Sequence, residues 1–143
     1  MGKQTLTDRL SQLHASAVHD VLCQIGCDDF VLPNTIKPIE SSQKLAGKIF
    51  TIEGEITTSH TPHDTLIKWT SLLSSIPQDY VGVCQPNTTE VALMGELSAE
   101  TLQKRGVIGY LVDGGCRDVS IIKELNFSVF CSFNTPKDVV GRW

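Results

Sequence analysis

Arg117 and Asp118 stand side by side in the stretch DGGCRD (residues 113–118), just after a hydrophobic run. A guanidinium is a permanent cation whose donors form a rigid fork that matches oxygen anions. The carboxylate beside it has two readings. It is a solvated ion-pair partner, worth little energetically, or it is half of a site in which the arginine holds an anion and the aspartate a hard metal ion. Gly114 and Gly115 predict a sharp turn. VIGYLVD (107–113) before it reads as a strand. Residues 118–125 read as a short helix, with Val119, Ile121, Ile122 and Leu125 apolar. In open α/β sheets, ligands gather beyond the carboxyl ends of strands, and the first N–H groups of a helix are free to meet an anion. Asp113, the two glycines, Arg117 and Asp118 are therefore expected where a site would lie.

Other constellations carry less. His14 and His19 lie on different helical faces, whereas a zinc-binding H-E-x-x-H pair needs spacing four. His60 and His63 flank Pro62, but no third histidine or cysteine is near, and a solvated loop is the plainer reading. The five cysteines are Cys23, Cys27, Cys84, Cys116 and Cys131. They include no C-x-x-C pair, which argues against a structural zinc site. They read as free thiols, mostly buried, in a reducing cytoplasmic compartment. Arg117 beside Cys116 favours a thiolate, yet a small residue filling a turn explains Cys116 as well. There is no G-x-S-x-G elbow, P-loop or G-x-G-x-x-G fingerprint. Lys104 and Lys123 fall on helix surfaces rather than in the desolvated pocket a Schiff-base lysine needs.

These residues must be positioned by one domain of 143 residues, with 41% hydrophobic and 20% charged side chains. A net charge of −4 without any basic run argues against nucleic-acid binding. No stretch approaches the ~20 apolar residues that span a bilayer, and the first residues lack the hydrophobic region of a signal peptide. Helical spacing covers residues 5–25, with a break near Ser16. Residues 27–43 read as loop with a short strand, and 44–54 as a strand. Thr61 and Pro62 open a helix over 63–75 whose apolar set is Leu66, Ile67, Trp69, Leu72 and Leu73. YVGVCQ (80–85) is a buried-type strand. A helix capped by Thr88 or Thr89 is expected to run to about Arg105, closed by Gly106, and SVFCSF (128–133) is a third strand. Strands alternating with helices predict an α/β fold with parallel pairing.

The run MGELSAETLQKRGVIGYLVDGGCRDVSIIKELNFSVF (94–130) resembles the RraA-like family, which includes regulators of ribonuclease E activity and class II 4-hydroxy-4-methyl-2-oxoglutarate aldolases. The matching points are Gly95, Glu96, Leu97, Gly106, Gly109, Asp113, Gly114, Arg117, Asp118, Glu124, Leu125, Val129 and Phe130. Asp20, Gly47, Asp64 and TPKDVVGRW (135–143) are weaker echoes. Cys116 stands where the family often has a small aliphatic residue. The resemblance implies a layered sandwich of the swivelling β/β/α kind, with further strands after Trp143. It implies ring-shaped trimers or hexamers with sites between subunits. It also implies Mg²⁺ or Mn²⁺ on Asp118, Arg117 pairing with an α-keto acid substrate, and Gly95, Glu96, Leu97 and Ser98 binding its carboxylate. Glu96 would assist in removing the substrate's hydroxyl proton. Regulator members tend to lose the aspartate after the arginine, so Asp118 favours a pyruvate-releasing lyase, with oxaloacetate decarboxylation as a side activity. The alternative is a non-catalytic regulator that binds a ribonuclease or another protein.

Overall fold

A computed structural model describes residues 4–143. Two short helices come first, α1 (Leu6–Ser11) and α2 (Ala15–Gln24), followed by β1 (Lys37–Pro38) and β2 (Lys48–Glu53). Then come α3 (Pro62–Ser75), β3 (Tyr80–Gln85), β4 (Ala92–Met94), α4 (Glu96–Lys104), β5 (Gly109–Cys116), α5 (Val119–Glu124) and β6 (Ser128–Asn134). The sheet runs β1-β6-β5-β3-β2, with β4 joined to β5. All pairings are parallel except β1 with β6. The expected mixed α/β fold is present.

The parallel order explains where the core lies. Each step from β2 to β3, β5 and β6 moves the same way across the sheet. Right-handed crossovers therefore put α3, α4 and α5 on one face. On that face Phe50, Ile52, Cys84, Tyr110, Val112, Val129 and Cys131 meet Trp69, Leu73, Leu102 and Ile122. Gly82 leaves room for the buried Tyr110 ring, since a Cβ there would lie 2.7 Å from it. On the opposite face, the loop through Leu45 packs at Gly109, while Ile49, Thr51, Glu53 and Gln85 are exposed.

The helix over 62–75 starts as expected. The Thr61 hydroxyl accepts from the Asp64 N–H, and the Asp64 carboxylate accepts from both the hydroxyl and the N–H of Thr61. These two bonds, the hydroxyl's first, hold the Asp64 carboxyl below its ordinary 3.8. Their stabilising effect is present above that value and is lost as pH falls through the lowered one. Thr61→Ala should reduce unfolding stability by about 1 kcal/mol. It should also bring the Asp64 titration back up, as read by carboxyl-carbon NMR.

Three expectations are corrected. Helix α4 begins at Glu96, not at Thr88 or Thr89, because residues 92–94 pair with β5 as a strand. Leu66 and Ile67 are exposed at 49% and 55%; Thr65, Trp69 and Leu73 form the buried stripe of α3 instead. Gly114 and Gly115 are not a turn but continue β5 through a register shift between Val112 and Gly115. At this irregularity β5 exchanges neighbours, from β3 up to Val112 to β4 at Gly115 and Cys116. A Cβ on Gly115 would lie 2.7 Å from the Val91 carbonyl, and one on Gly114 would lie 2.7 Å from the Pro86 ring. The glycines permit close approach of backbones rather than reversal of the chain. In the N-terminal region the break falls between Ser11 and Ala15, and neither α1 nor α2 buries a residue.

Candidate active site at the end of the fifth strand

Arg117 and Asp118 lie between β5 and α5. The Arg117 N–H donates to the Met94 carbonyl at the end of β4, tying this turn to the start of α4. Asp118 sits in left-handed backbone, with φ 54° and ψ 32°. Asp tolerates that region better than most side chains, and such conformations concentrate at functional sites. It is the N-cap of α5, but its side chain makes no bond to its own helix. The carboxylate turns instead to the start of α4, where Oδ2 accepts from the Glu96 N–H at 3.1 Å. The same Oδ2 accepts from Arg117 Nε at 3.1 Å. Oδ1 has no hydrogen-bond partner among the described residues.

Gly95 makes this meeting possible. A Cβ there would stand 2.9 Å from Asp118 Oδ2 and 3.0 Å from Arg117 Cγ. Gly95 is the N-cap of α4, in extended backbone that any residue adopts, so space rather than φ requires glycine. Beyond it the Leu97 and Ser98 N–H groups have no acceptor among the described residues, as the first turn of a helix dictates. The Ser98 hydroxyl accepts from Trp69 Nε1 at 2.9 Å. The Leu97 side chain is 76% exposed, which leaves its N–H as the group it can offer. The Glu96 carboxylate makes no hydrogen bond among the described residues.

Asp138, which no sequence motif marks as a site residue, joins the cluster. Its Oδ2 accepts from Arg117 Nη1, and its Oδ1 accepts from the Val140 N–H. Arg117 is thus held by two carboxylates. The Asp118 hydrogen bond is the strongest influence raising its guanidinium above its ordinary value. Nη2 has no partner among the described residues. An open depression of about 480 Å³ is lined by Cys116, Arg117, Asp118, Val119, Asn134, Thr135 and Pro136. The only pointer to Asp138 in the sequence is its place within TPKDVVGRW, which carries no chemistry of its own.

Asp118 Oδ1, unpartnered at the edge of an open depression, suits a hard cation that takes few carboxylates and keeps several waters. No group of three or more His, Cys, Asp or Glu side chains is arranged to enclose a metal among the described residues. A single free carboxylate oxygen fits a cation that keeps most of its water better than it fits a zinc cage. Cys116 is fully buried, and contact with Cys131, then burial, raises its thiol pKa. That is a packing residue rather than a nucleophile.

The family model described as RraA-like, aldolase/RraA, matches residues 15–142. The chain belongs to the RraA-like family. It is 37% identical over 118 residues to a Methanocaldococcus jannaschii protein named uncharacterized protein MJ0644, covering 80% of this chain and 52% of that one. It is 26% identical over 104 residues to a Halalkalibacterium halodurans protein named "Putative 4-hydroxy-4-methyl-2-oxoglutarate aldolase", covering 73% and 47%. The chain thus spans about half the length of these curated relatives. The structure titled as the RNA-processing inhibitor RraA from Thermus thermophilis superimposes with a TM-score of 0.68 at 19% identity, over 89% of this chain and 71% of that one. This likeness shows the shared RraA-like fold. Within it, two of the weaker sequence echoes have structural causes. Asp64 closes the capping box of α3, and Gly47 packs where a Cβ would meet Ile108 at 2.8 Å. No helix among the described residues is long and apolar enough to cross a membrane.

Proposed function

We infer that this RraA-like chain carries the site of a metal-dependent, class II pyruvate aldolase. The substrate class is a 4-hydroxy-2-oxo acid such as 4-hydroxy-4-methyl-2-oxoglutarate, and oxaloacetate decarboxylation is a side activity. One observation carries this reading. Asp118 spends Oδ2 on Arg117 and the Glu96 N–H, and keeps Oδ1 free beside an open depression.

Asp118 Oδ1 would hold Mg²⁺ or Mn²⁺, hard cations that suit a single carboxylate. The ion supplies Lewis-acid polarisation of the keto acid's oxygens. The chain's own groups do the rest. The free N–H groups of Leu97 and Ser98, at the positive end of α4, receive the substrate carboxylate. Glu96, through a water, accepts the proton of the substrate's hydroxyl as the carbon–carbon bond breaks. The electron pair of that bond becomes the pyruvate enolate, and Arg117 Nη2 donates to the oxygen where the charge develops. The deprotonated hydroxyl leaves as the carbonyl of the second product, and the proton taken through the water beside Glu96 returns to the terminal carbon to complete pyruvate. Decarboxylation of oxaloacetate passes through the same enolate, which is why one site serves both reactions.

The test is coupled pyruvate release across a small panel of 4-hydroxy-2-oxo acids and oxaloacetate, with Mg²⁺, with Mn²⁺ and after EDTA. Turnover should appear with either metal, vanish on chelation and return on adding metal back. Undiminished turnover in EDTA would contradict the reading. So would no turnover on any substrate from protein that captures a ribonuclease E-type partner in a pull-down.

A further inference from the structure

The segment carrying Asp138 is fastened on every side. The Lys137 carbonyl accepts from the Ala92 N–H, joining the segment to β4. Val139 is buried in the core. The Gly141 N–H donates to the hydroxyl of Thr65, itself only 2% exposed, and Trp143 Nε1 donates to the Pro86 carbonyl. Trp143 also packs edge-on against Trp69, with ring centroids 5.7 Å apart. An ordinary surface ion pair joins two mobile side chains and is worth little. Here the carboxylate is fixed before it meets the arginine. Oδ1 is committed to Val140 in its own turn, and only Oδ2 reaches Arg117 Nη1.

We propose that Asp138 is a positioning residue that locks the rotation of the Arg117 guanidinium, so that Nη2 is presented to the substrate; the substrate part of this rests on the aldolase reading above. Asp118 alone holds Arg117 by Nε, the pivot of the guanidinium plane. A second carboxylate at Nη1 fixes the plane and settles which nitrogen stays unpaired. It also keeps a negative neighbour on Arg117 when a divalent cation draws on the charge of Asp118. Asp138 touches neither substrate nor metal in this arrangement. It acts through Arg117.

Asp138→Asn is the informative change. The amide oxygen can serve Arg117 or the Val140 N–H but not both, and the charge is gone. Val139→Ala is the control, because it weakens packing of the same segment and leaves the carboxylate in place. Two measurements are made on the full chain. The first is ¹⁵N NMR of the arginine side chains, with Arg117 assigned by loss of its signal in Arg117→Lys. Distinct Nη signals are expected in the unsubstituted protein, and averaged signals in Asp138→Asn. Val139→Ala should keep them distinct even if it melts earlier. The second is calorimetric binding of oxalate, a planar mimic of the pyruvate enolate, with Mg²⁺ present. The Kd should rise about tenfold to a hundredfold in Asp138→Asn at unchanged stoichiometry. A fall in stoichiometry at constant Kd, with Nη signals unchanged, marks a purely structural role and overturns the proposal. If the unsubstituted protein binds no oxalate while Asp138→Asn still frees the Nη signals, the aldolase reading fails and the lock on Arg117 stands.

Discussion

Asp118→Ala should reduce metal-dependent pyruvate release by at least about a thousandfold, and Arg117→Ala by about a hundredfold to a thousandfold. The two losses differ in origin and can be told apart. Asp118 is the carboxylate proposed to hold the cation, through an oxygen with no partner among the described residues, so its loss should abolish Mn²⁺ binding as read by electron paramagnetic resonance. Arg117→Ala should keep most of the metal affinity and lose rate, because in the proposed reaction its contact would strengthen only as charge develops on the enolate oxygen. Arg117→Lys should recover little. An ammonium cannot span Asp118 and Asp138 at once while presenting a further donor at the place where Nη2 lies. Retention of more than a tenth of the activity in Asp118→Ala would remove that carboxylate from the chemistry. Neither substitution should cost much stability. Both side chains are about one-third exposed, at 36% for Arg117 and 31% for Asp118, and their ion pair is screened by water.

Gly95→Ala should lower activity by about tenfold without unfolding the protein, which is a large effect for one methyl group. Gly95 is already extended, so alanine meets no backbone penalty. The cost is local and steric. The new Cβ falls within contact distance of Asp118 Oδ2 and the Arg117 stem, and one of them must move by several tenths of an ångström. Movement of Asp118 breaks the Glu96 N–H bond that orients the carboxylate. A displacement of about 1 Å in a catalytic constellation costs roughly a hundredfold in rate, so a shift of some tenths of an ångström should cost about tenfold. The check is a thermal midpoint within a few degrees of the unsubstituted protein, combined with the loss of rate. A parallel collapse of both would mean that Gly95 serves packing alone. Gly114→Ala and Gly115→Ala make a useful contrast. Their Cβ atoms meet Pro86 and the Val91 carbonyl, so they should destabilise the sheet first and impair the site as a consequence.

Much of the fold was legible because periodicity and caps are local. The α3 capping box follows from T-P-H-D by itself, since the hydroxyl, the carboxylate and the backbone groups they satisfy lie within one turn. Strands β3 and β6 follow from short apolar runs between turn residues. The α4 error has a physical cause. Residues 91–94 are apolar and fully buried, and a short apolar run has no period by which strand and helix can be distinguished. Its pairing with the Gly-Gly end of β5 made it a strand, and that pairing joins positions more than twenty residues apart in the chain.

The sequence by itself determined which groups are candidates for the site. A guanidinium, a carboxylate and a glycine-led helix start stand at a spacing that resembles the RraA-like family, and which groups are present is fixed by the covalent chain alone. Only the tertiary structure decided which atoms of those groups are free. Asp118 turns to α4 rather than to its own helix, Oδ2 is consumed and Oδ1 left open, and Asp138 arrives from the C-terminal segment to take one nitrogen of Arg117. Such choices depend on contacts between segments far apart in the chain, and hydrogen-bonding capacity is shared out only once folding brings those segments together.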